Sequence, residues 1–328
     1  MEERLSLTRR AELIGKFADR SLLVVGDLMV DEYLYGSARR ISQEGPVMVI
    51  EVLSDEFKPG GAANVANNLR SLGASVAIAG VVGDDSIAGV LRAGLSDWKI
   101  DVSGIVTDAT RPTTRKTRIV AQSQQVIRVD REKTIPISGE VSRKLISHIE
   151  RLLPQVDGVL LSDYRKGVLS EHDTQAICDL ARAAGKPVIT NPKPASARWL
   201  RGARVISLNQ VEAEELAGLP LPDDADSLRR FGEQTAQSLG AATLLVTRGS
   251  KGLCLWLHNG EHHQIPAHVV EVADIAGAGD TTIGTMALAL TCGATDVEAA
   301  ELANLAGACV VRKHGVATIT PDELLRAI

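Results

Sequence analysis

Apolar positions along the chain follow two alternating rhythms. Ser21–Gly26 (SLLVVG), Ser75–Val82, Gly158–Ser162 and Thr243–Thr247 are short apolar runs, as expected of strands buried on both faces of a parallel sheet. Lys186–Thr190 and Arg204–Ser207 repeat the pattern. Between such runs, apolar residues recur every three or four positions. Gly61–Leu72 does so until Gly73, and Gly83-Asp84-Asp85 opens another helical stretch. The alternation predicts an α/β fold, a central mostly parallel sheet with helices on both faces. Two segments break it. Val47–Phe57 and Thr113–Asp130 alternate in the β manner with no helix following either, and Gln122–Gln125 reads as a hairpin connection. They predict a small antiparallel β lid, its strands at about 37–58 and 112–130, inserted in one domain spanning 1–328. The uncovered edges of such a sheet call for a lid role or a partner subunit. An extra hairpin on the main sheet is the plainer alternative. Pro220–Asp226 is the clearest loop.

Charge narrows the choice of partner. Thirty-six Lys and Arg against 41 Asp and Glu leave a net charge of −5 with no long basic run. That argues against nucleic acid, and an anionic substrate must be met by a few local cations. Cys178, Cys254, Cys292 and Cys309 form no CxxC pair, which fits free thiols in a reducing compartment. Met1–Arg20 is charged and lacks the apolar core of a signal peptide. With no window of ~18 uninterrupted apolar residues, the expectation is a soluble cytoplasmic protein with no membrane partner. His258, His262 and His263 flank Asn259-Gly260, which reads as a hairpin tip rather than a metal site. Trp98, Trp199 and Trp256 are isolated and form no base-stacking platform.

Candidate chemistry concentrates in Asp274–Thr282 (DIAGAGDTT), followed by the small-residue helix Ile283–Leu290. Gly277 and Gly279 allow close backbone approach, and the helix behind them adds its positive end, a setting suited to phosphate oxygens. The segment is neither GxxxxGK[ST] nor GxGxxG. Asp280 stands in the first helical turn, where it is either a helix cap or the base that takes a proton from an acceptor hydroxyl. A second glycine cluster, Gly60-Gly61-Ala62-Ala63-Asn64, opens the helix carrying Asn67 and Asn68. Asparagines there either cap and face solvent or reach sugar hydroxyls.

Taken together, Gly60–Asn64, Asn209-Gln210-Val211-Glu212 (NQVE) and Asp274–Asp280 resemble, in order and separation, the signatures of the ribokinase-like (PfkB) carbohydrate kinases. The resemblance covers essentially the whole chain. It implies ATP as phosphoryl donor, Mg2+, Asp280 as catalytic base, and Gly277, Ala278 and Gly279 as the anion hole. Asn209 and Glu212 resemble the pair that organises magnesium, largely through water, with Gln210 and Val211 between them; their plain alternative is a helix-start Asn with an exposed Glu. Asp31, Gly60, Gly61 and Asn64 resemble the sugar-binding positions. Thr247, Gly249 and Gly252 resemble the nucleotide loop, and Asn304 a residue near the adenine. In many members the lid also makes a homodimer contact. Ala276 stands where the pattern usually has threonine.

Residues 26–36 (GDLMVDEYLYG), Arg40-Ile41-Ser42 with Pro46-Val47, 161–170 (LSDYRKGVLS) and 191–193 (NPK, where DPK is usual) are similar to one branch of that family. That branch phosphorylates D-glycero-D-manno-heptose 7-phosphate at the anomeric hydroxyl, in lipopolysaccharide precursor synthesis. These 328 residues contain no HxGH element, so the resemblance implies a kinase-only form. A sugar already bearing a phosphate needs cations beyond those serving ATP. Arg118, Arg165, Lys166 and Lys193 are the candidates, each equally readable as a solvated surface cation. Another sugar phosphate or a nucleoside as acceptor stays open, as does a catalytically silent sensor on the same fold. An intact Asp280 beside both glycines favours the enzyme.

Overall fold

A computed structural model describes residues 5–122 and 124–327. The start of the charged N-terminal stretch and Ser123, in the expected hairpin connection, lie outside the described residues. In chain order the first elements are α1 (Leu7–Gly15), β1 (Ser21–Gly26), β2 (Leu28–Ile41), β3 (Met48–Gly61) and α2 (Ala62–Ser71). Next come β4 (Ser75–Val82), α3 (Ser86–Asp97), β5 (Asp101–Thr107), β6 (Thr114–Ala121) and β7 (Gln124–Arg131). Then follow α4 (Gly139–Leu152), β8 (Gly158–Ser162), α5 (Glu171–Ala183), β9 (Val188–Asn191), α6 (Pro194–Ala197) and β10 (Val205–Asn209). The chain continues through α7 (Gln210–Ala217), α8 (Ala225–Leu239), β11 (Thr243–Thr247), β12 (Leu253–Leu257) and β13 (His262–Ile265). It closes with α9 (Ala278–Thr291), α10 (Asp296–Val310) and α11 (Pro321–Arg326).

The main sheet runs β13-β12-β11-β10-β9-β8-β1-β4-β5. It is parallel from β11 to β5, and β12 and β13 add an antiparallel edge around the Asn259-Gly260 tip. Successive side chains of a strand face opposite ways. Accordingly Leu22 and Val24 of β1 pack under α1, α2, α9 and α10. Leu23 and Val25 pack with α4, α5 and α8 on the other face. From β1 the chain proceeds outward to β4 and β5, then returns to β8 on the other side of β1. The sheet reverses its winding between β1 and β8, where open α/β sheets bind ligands at the strands' carboxyl ends.

The second sheet, β3-β2-β6-β7, is the lid; β2 pairs antiparallel with β3 and parallel with β6, and β6 antiparallel with β7. It begins at Leu28, earlier than the expected boundary at 37. The first residues of β2, Leu28, Met29 and Val30, are buried and read as core. The expectation that no helix follows Val47–Phe57 is corrected: β3 passes directly into α2, because Gly61 at φ +57 turns the chain there. A side chain at Gly61 would strike the Asp27 carbonyl, its Cβ lying 2.5 Å from that oxygen.

Candidate active site

Gly277, at φ +80, forms the N-cap of α9, and Ala278, Gly279 and Asp280 make its first turn. A Cβ on Gly277 would sit 3.1 Å from the Asn64 amide nitrogen, so glycine serves both the turn and the approach of α2. The Ala278 amide donates to the Ile275 carbonyl at 3.2 Å, while the neighbouring amides of this turn, with the positive helix end behind them, are a ready anion cradle. Asp280 stands in the first turn against the positive helix end, yet its carboxylate accepts its hydrogen bonds from other elements. Its carboxylate is 7% exposed and bonds other elements. Asn64 Nδ2 donates to Oδ2 at 2.6 Å and the Tyr164 hydroxyl donates to Oδ1 at 2.9 Å. Burial pushes Asp280 up to about 6, against the opposing pull of Asn64, Tyr164 and Lys193. Asn68 reinforces the α2–α9 seam, accepting from Thr281 Oγ1 at 2.6 Å.

The facing wall is built around the NQVE segment. Asn209 and Glu212 form a reciprocal capping box on α7, each side chain accepting from the other's backbone N–H at 2.9 Å. Glu212 is buried, not exposed as the plain alternative requires. Its second oxygen, Oε1, accepts from Lys193 Nζ at 2.7 Å. The Lys193 ammonium also lies 5.3 Å from the Tyr164 ring centroid, a cation–π contact. A cavity of about 180 Å3 brings together Tyr164, Asn191, Lys193, Asn209, Glu212, Thr247, Gly277, Gly279 and Asp280. Gln210 instead bonds Glu214 at 2.8 Å and Val211 is 69% exposed, so neither joins the cavity. Gly249 and Gly252 shape the turn after β11 with φ of +55 and +88. Asn304 lies apart from the cavity, donating to the Pro266 carbonyl at 2.9 Å.

Among the described residues no group of three or more His, Cys, Asp or Glu side chains is gathered for a metal ion. The donor set still fits magnesium, which keeps several waters and binds through one or two carboxylates plus substrate phosphates. Glu212, buried at the cavity wall with a lysine rather than a fixed backbone group on Oε1, is the carboxylate so placed.

On the lid side, Arg118 donates to Asp31, and Lys58 and Arg118 lie 5.4 and 5.3 Å from the Tyr33 ring centroid. A Cβ on Gly60 would come within 2.6 Å of the Asp31 carboxylate, so this glycine makes room for it. Lys166 pairs with Glu132 at the end of β7, at 2.7 Å. Arg165 stacks over Trp199, 5.1 Å from its ring centroid. Lys193 is thus found with the anion cradle, away from the lid cations with which the sequence had grouped it. Sequence reasoning passed over Tyr164, Asp27 and Asp274. The buried Asp27 carboxylate accepts three backbone N–H groups of the segment after β8. Asp274 accepts from the amides of Ala276 and Gly315, bracing the cradle's approach. A polar residue just beyond an apolar strand, Asp27 directly after β1 and Tyr164 two residues after β8, was the available signal.

The model of the pfkB family carbohydrate kinases matches residues 19–323. The bifunctional protein HldE of Geobacter metallireducens is 41% identical over 313 residues, 95% of this chain and 64% of that protein. The bifunctional protein HldE of Helicobacter hepaticus is 38% identical over 307 residues, 94% of this chain and 63% of that protein. The chain therefore spans a little under two thirds of the length of these relatives. Arabidopsis thaliana ribokinase, solved with ribose and ATP, superposes with a TM-score of 0.75 at 20% identity, over 94% of this chain and 98% of that one. Escherichia coli phosphofructokinase-2, solved with substrates and products, gives 0.74 at 19% identity, over 94% and 98%. At such identities the likeness is one of fold.

Proposed function

Because the chain belongs to the pfkB family of carbohydrate kinases, we propose that it transfers the γ-phosphoryl group of ATP to the anomeric hydroxyl of D-glycero-D-manno-heptose 7-phosphate. The products are heptose 1,7-bisphosphate and ADP. The observation that carries this reading is a buried carboxylate, Asp280, set in the first turn of a glycine-opened helix and sharing a cavity with Lys193 and Glu212. Asp280 takes the hydroxyl proton as the sugar oxygen bonds to phosphorus and the bond to the ADP oxygen breaks. The amides of Gly277 and Gly279 meet the charge that develops on the transferring group. The anomeric hydroxyl is more acidic than an ordinary alcohol, so one aspartate suffices. Glu212, with Asn209 beside it, holds the hydrated magnesium, which when bound offsets the triphosphate charge.

The heptose assignment rests on the 26–36, 161–170 and 191–193 segments. They supply Asp31 and Tyr33 on the lid, Lys166 beside Glu132 at the end of β7, and Tyr164, Asn191 and Lys193 around the cavity. Asp31 faces the sugar, and Arg118 and Lys166 supply cations for the phosphate it already carries. The lid leaves Met48, Val52, Leu53, Ile127 and Val129 exposed, and a second copy of the chain is the partner that covers them. ADP release measured across sugars, sugar phosphates and nucleosides tests the acceptor, with heptose 7-phosphate expected to turn over fastest. Faster turnover of another acceptor would move the assignment to that compound, and no ADP release with any of them would remove it.

A further inference from the structure

Within that reading, we infer that Tyr164 is a positioning residue for phosphoryl transfer, its hydroxyl fixing the catalytic carboxylate through the oxygen that Asn64 leaves unengaged. The two donors come from unrelated parts of the chain, Asn64 from α2 and Tyr164 from the segment between β8 and α5. A carboxylate offers about four lone-pair directions. With one donor on each oxygen it cannot swing, and the remaining directions are left for the acceptor hydroxyl.

The segment carrying Tyr164 is held with unusual thoroughness. Asp27 accepts the amides of Tyr164 at 2.8 Å, Lys166 at 3.0 Å and Val168 at 3.3 Å. Arg165 sits at φ +60, costly for a non-glycine residue, and its amide is held at 2.8 Å by Asp163. Arg111, in a buried ion pair with Asp108, donates to the carbonyls of Lys166 and Ile135. The far end of the segment, Val168 and Leu169, is buried in the core on the α4–α5 face of the sheet. The bonds at its near end hold the backbone on both sides of Tyr164 and so mount its hydroxyl. Burial, with Asp280 alongside, drives the phenol well above its ordinary range, so it stays protonated and donates.

The groups facing Asp280 are Asn64 from α2, Tyr164 after β8, Lys193 before α6 and Asp31 on β2, and the charge of Glu212 on α7 acts on the tyrosine. Tyr164 favours the ionised carboxylate, as Lys193 does, whereas Asp31 opposes it. Removing the hydroxyl therefore raises the pH at which Asp280 ionises.

Tyr164→Phe keeps the ring beneath Lys193 and deletes only the oxygen. The acid limb of kcat/KM should move up by about one pH unit, the equivalent of about a tenfold change in the ionisation equilibrium. The KM for ATP should stay near that of the parent, with activity partly regained at alkaline pH. Carbon-13 NMR titration of the Asp280 carboxyl, which needs no turnover, should show the same displacement. Replacing Tyr164 by 3-fluorotyrosine, a stronger donor that also keeps the ring, should move the limb the opposite way and serves if the phenylalanine variant does not fold. An unchanged acid limb and an unchanged carboxyl titration in the folded variants would overturn the inference. Absence of ADP release from the parent protein would instead overturn the kinase reading, leaving the NMR titration to decide on Tyr164.

Discussion

The two walls that would enclose an acceptor sugar are built in opposite ways. The Asp280 wall is a helix seam closed by buried side-chain bonds, Asn64 to Asp280 and Thr281 to Asn68, with α9 buried continuously from Asp280 to Ala289. The lid wall is a four-stranded sheet in which every residue of β7 is exposed and Arg128–Asp130 is a surface ion pair, with buried polar contacts confined to its inner strands, as at Asp31 and Glu32. Surface pairs contribute little and are screened by salt, whereas a buried bond is costly to break. The difference teaches where each task is done. On the proposed reading, transfer chemistry belongs to the buried wall and acceptor recognition to the more exposed lid.

The largest expected effect is on the buried wall. Asp280→Asn should lower turnover at least ~100-fold, the lower range for loss of a general base, with ATP binding retained in a titration. Its stability should change the other way. Burial raises Asp280 from 3.8 to about 6 in the folded protein, so the unfolded chain releases that proton first as pH rises. The aspartate therefore weakens the fold progressively between about pH 4 and pH 6, fully above that and not below. Melting curves should show the asparagine variant matching the parent near pH 3.5 and exceeding it at pH 7.5. Near-normal turnover, or a variant less stable at pH 7.5, would return Asp280 to a structural role.

Next in size is a contrast between two cations. Lys193 lies beside Asp280 and Glu212, so Lys193→Ala should cost about 10- to 160-fold in kcat/KM, the range for a charged hydrogen bond. The loss should be equal for phosphorylated and unphosphorylated acceptors. Arg118→Ala on the lid should penalise the phosphorylated acceptor selectively. A selective loss from Lys193→Ala would transfer the acceptor phosphate to that residue and erase the division between the walls.

The smallest expected effect on chemistry comes from the lid's outer apolar residues. Val52 and Val129 are each 51% exposed, and changing both to Asp should convert a dimer to a monomer in light scattering, with ADP release close to the parent's. A parent that scatters as a monomer at micromolar concentration would remove the dimer proposal.

Much of this was legible locally. The apolar runs Ser75–Val82, Gly158–Ser162 and Thr243–Thr247 are strands with those bounds, because burial on both faces leaves an uninterrupted signature. The NQVE segment carries the spacing of a capping box, and the structure shows that this cap and a lysine share one glutamate. Boundaries failed where a strand serves two environments. β2 starts in the core at Leu28 and ends exposed at Ile41, so no single period describes it.

By itself, the sequence determined the alternation of strands and helices and the glycine-opened turn before Asp280, since both depend on neighbours within a few residues. Only the tertiary structure decided which partners reach Asp280. Asn64 and Tyr164 stand 216 and 116 positions away from it along the chain. The reversal of the sheet between β1 and β8 brings those segments to one strand end, and a contact made through such a crossover leaves no local period to read.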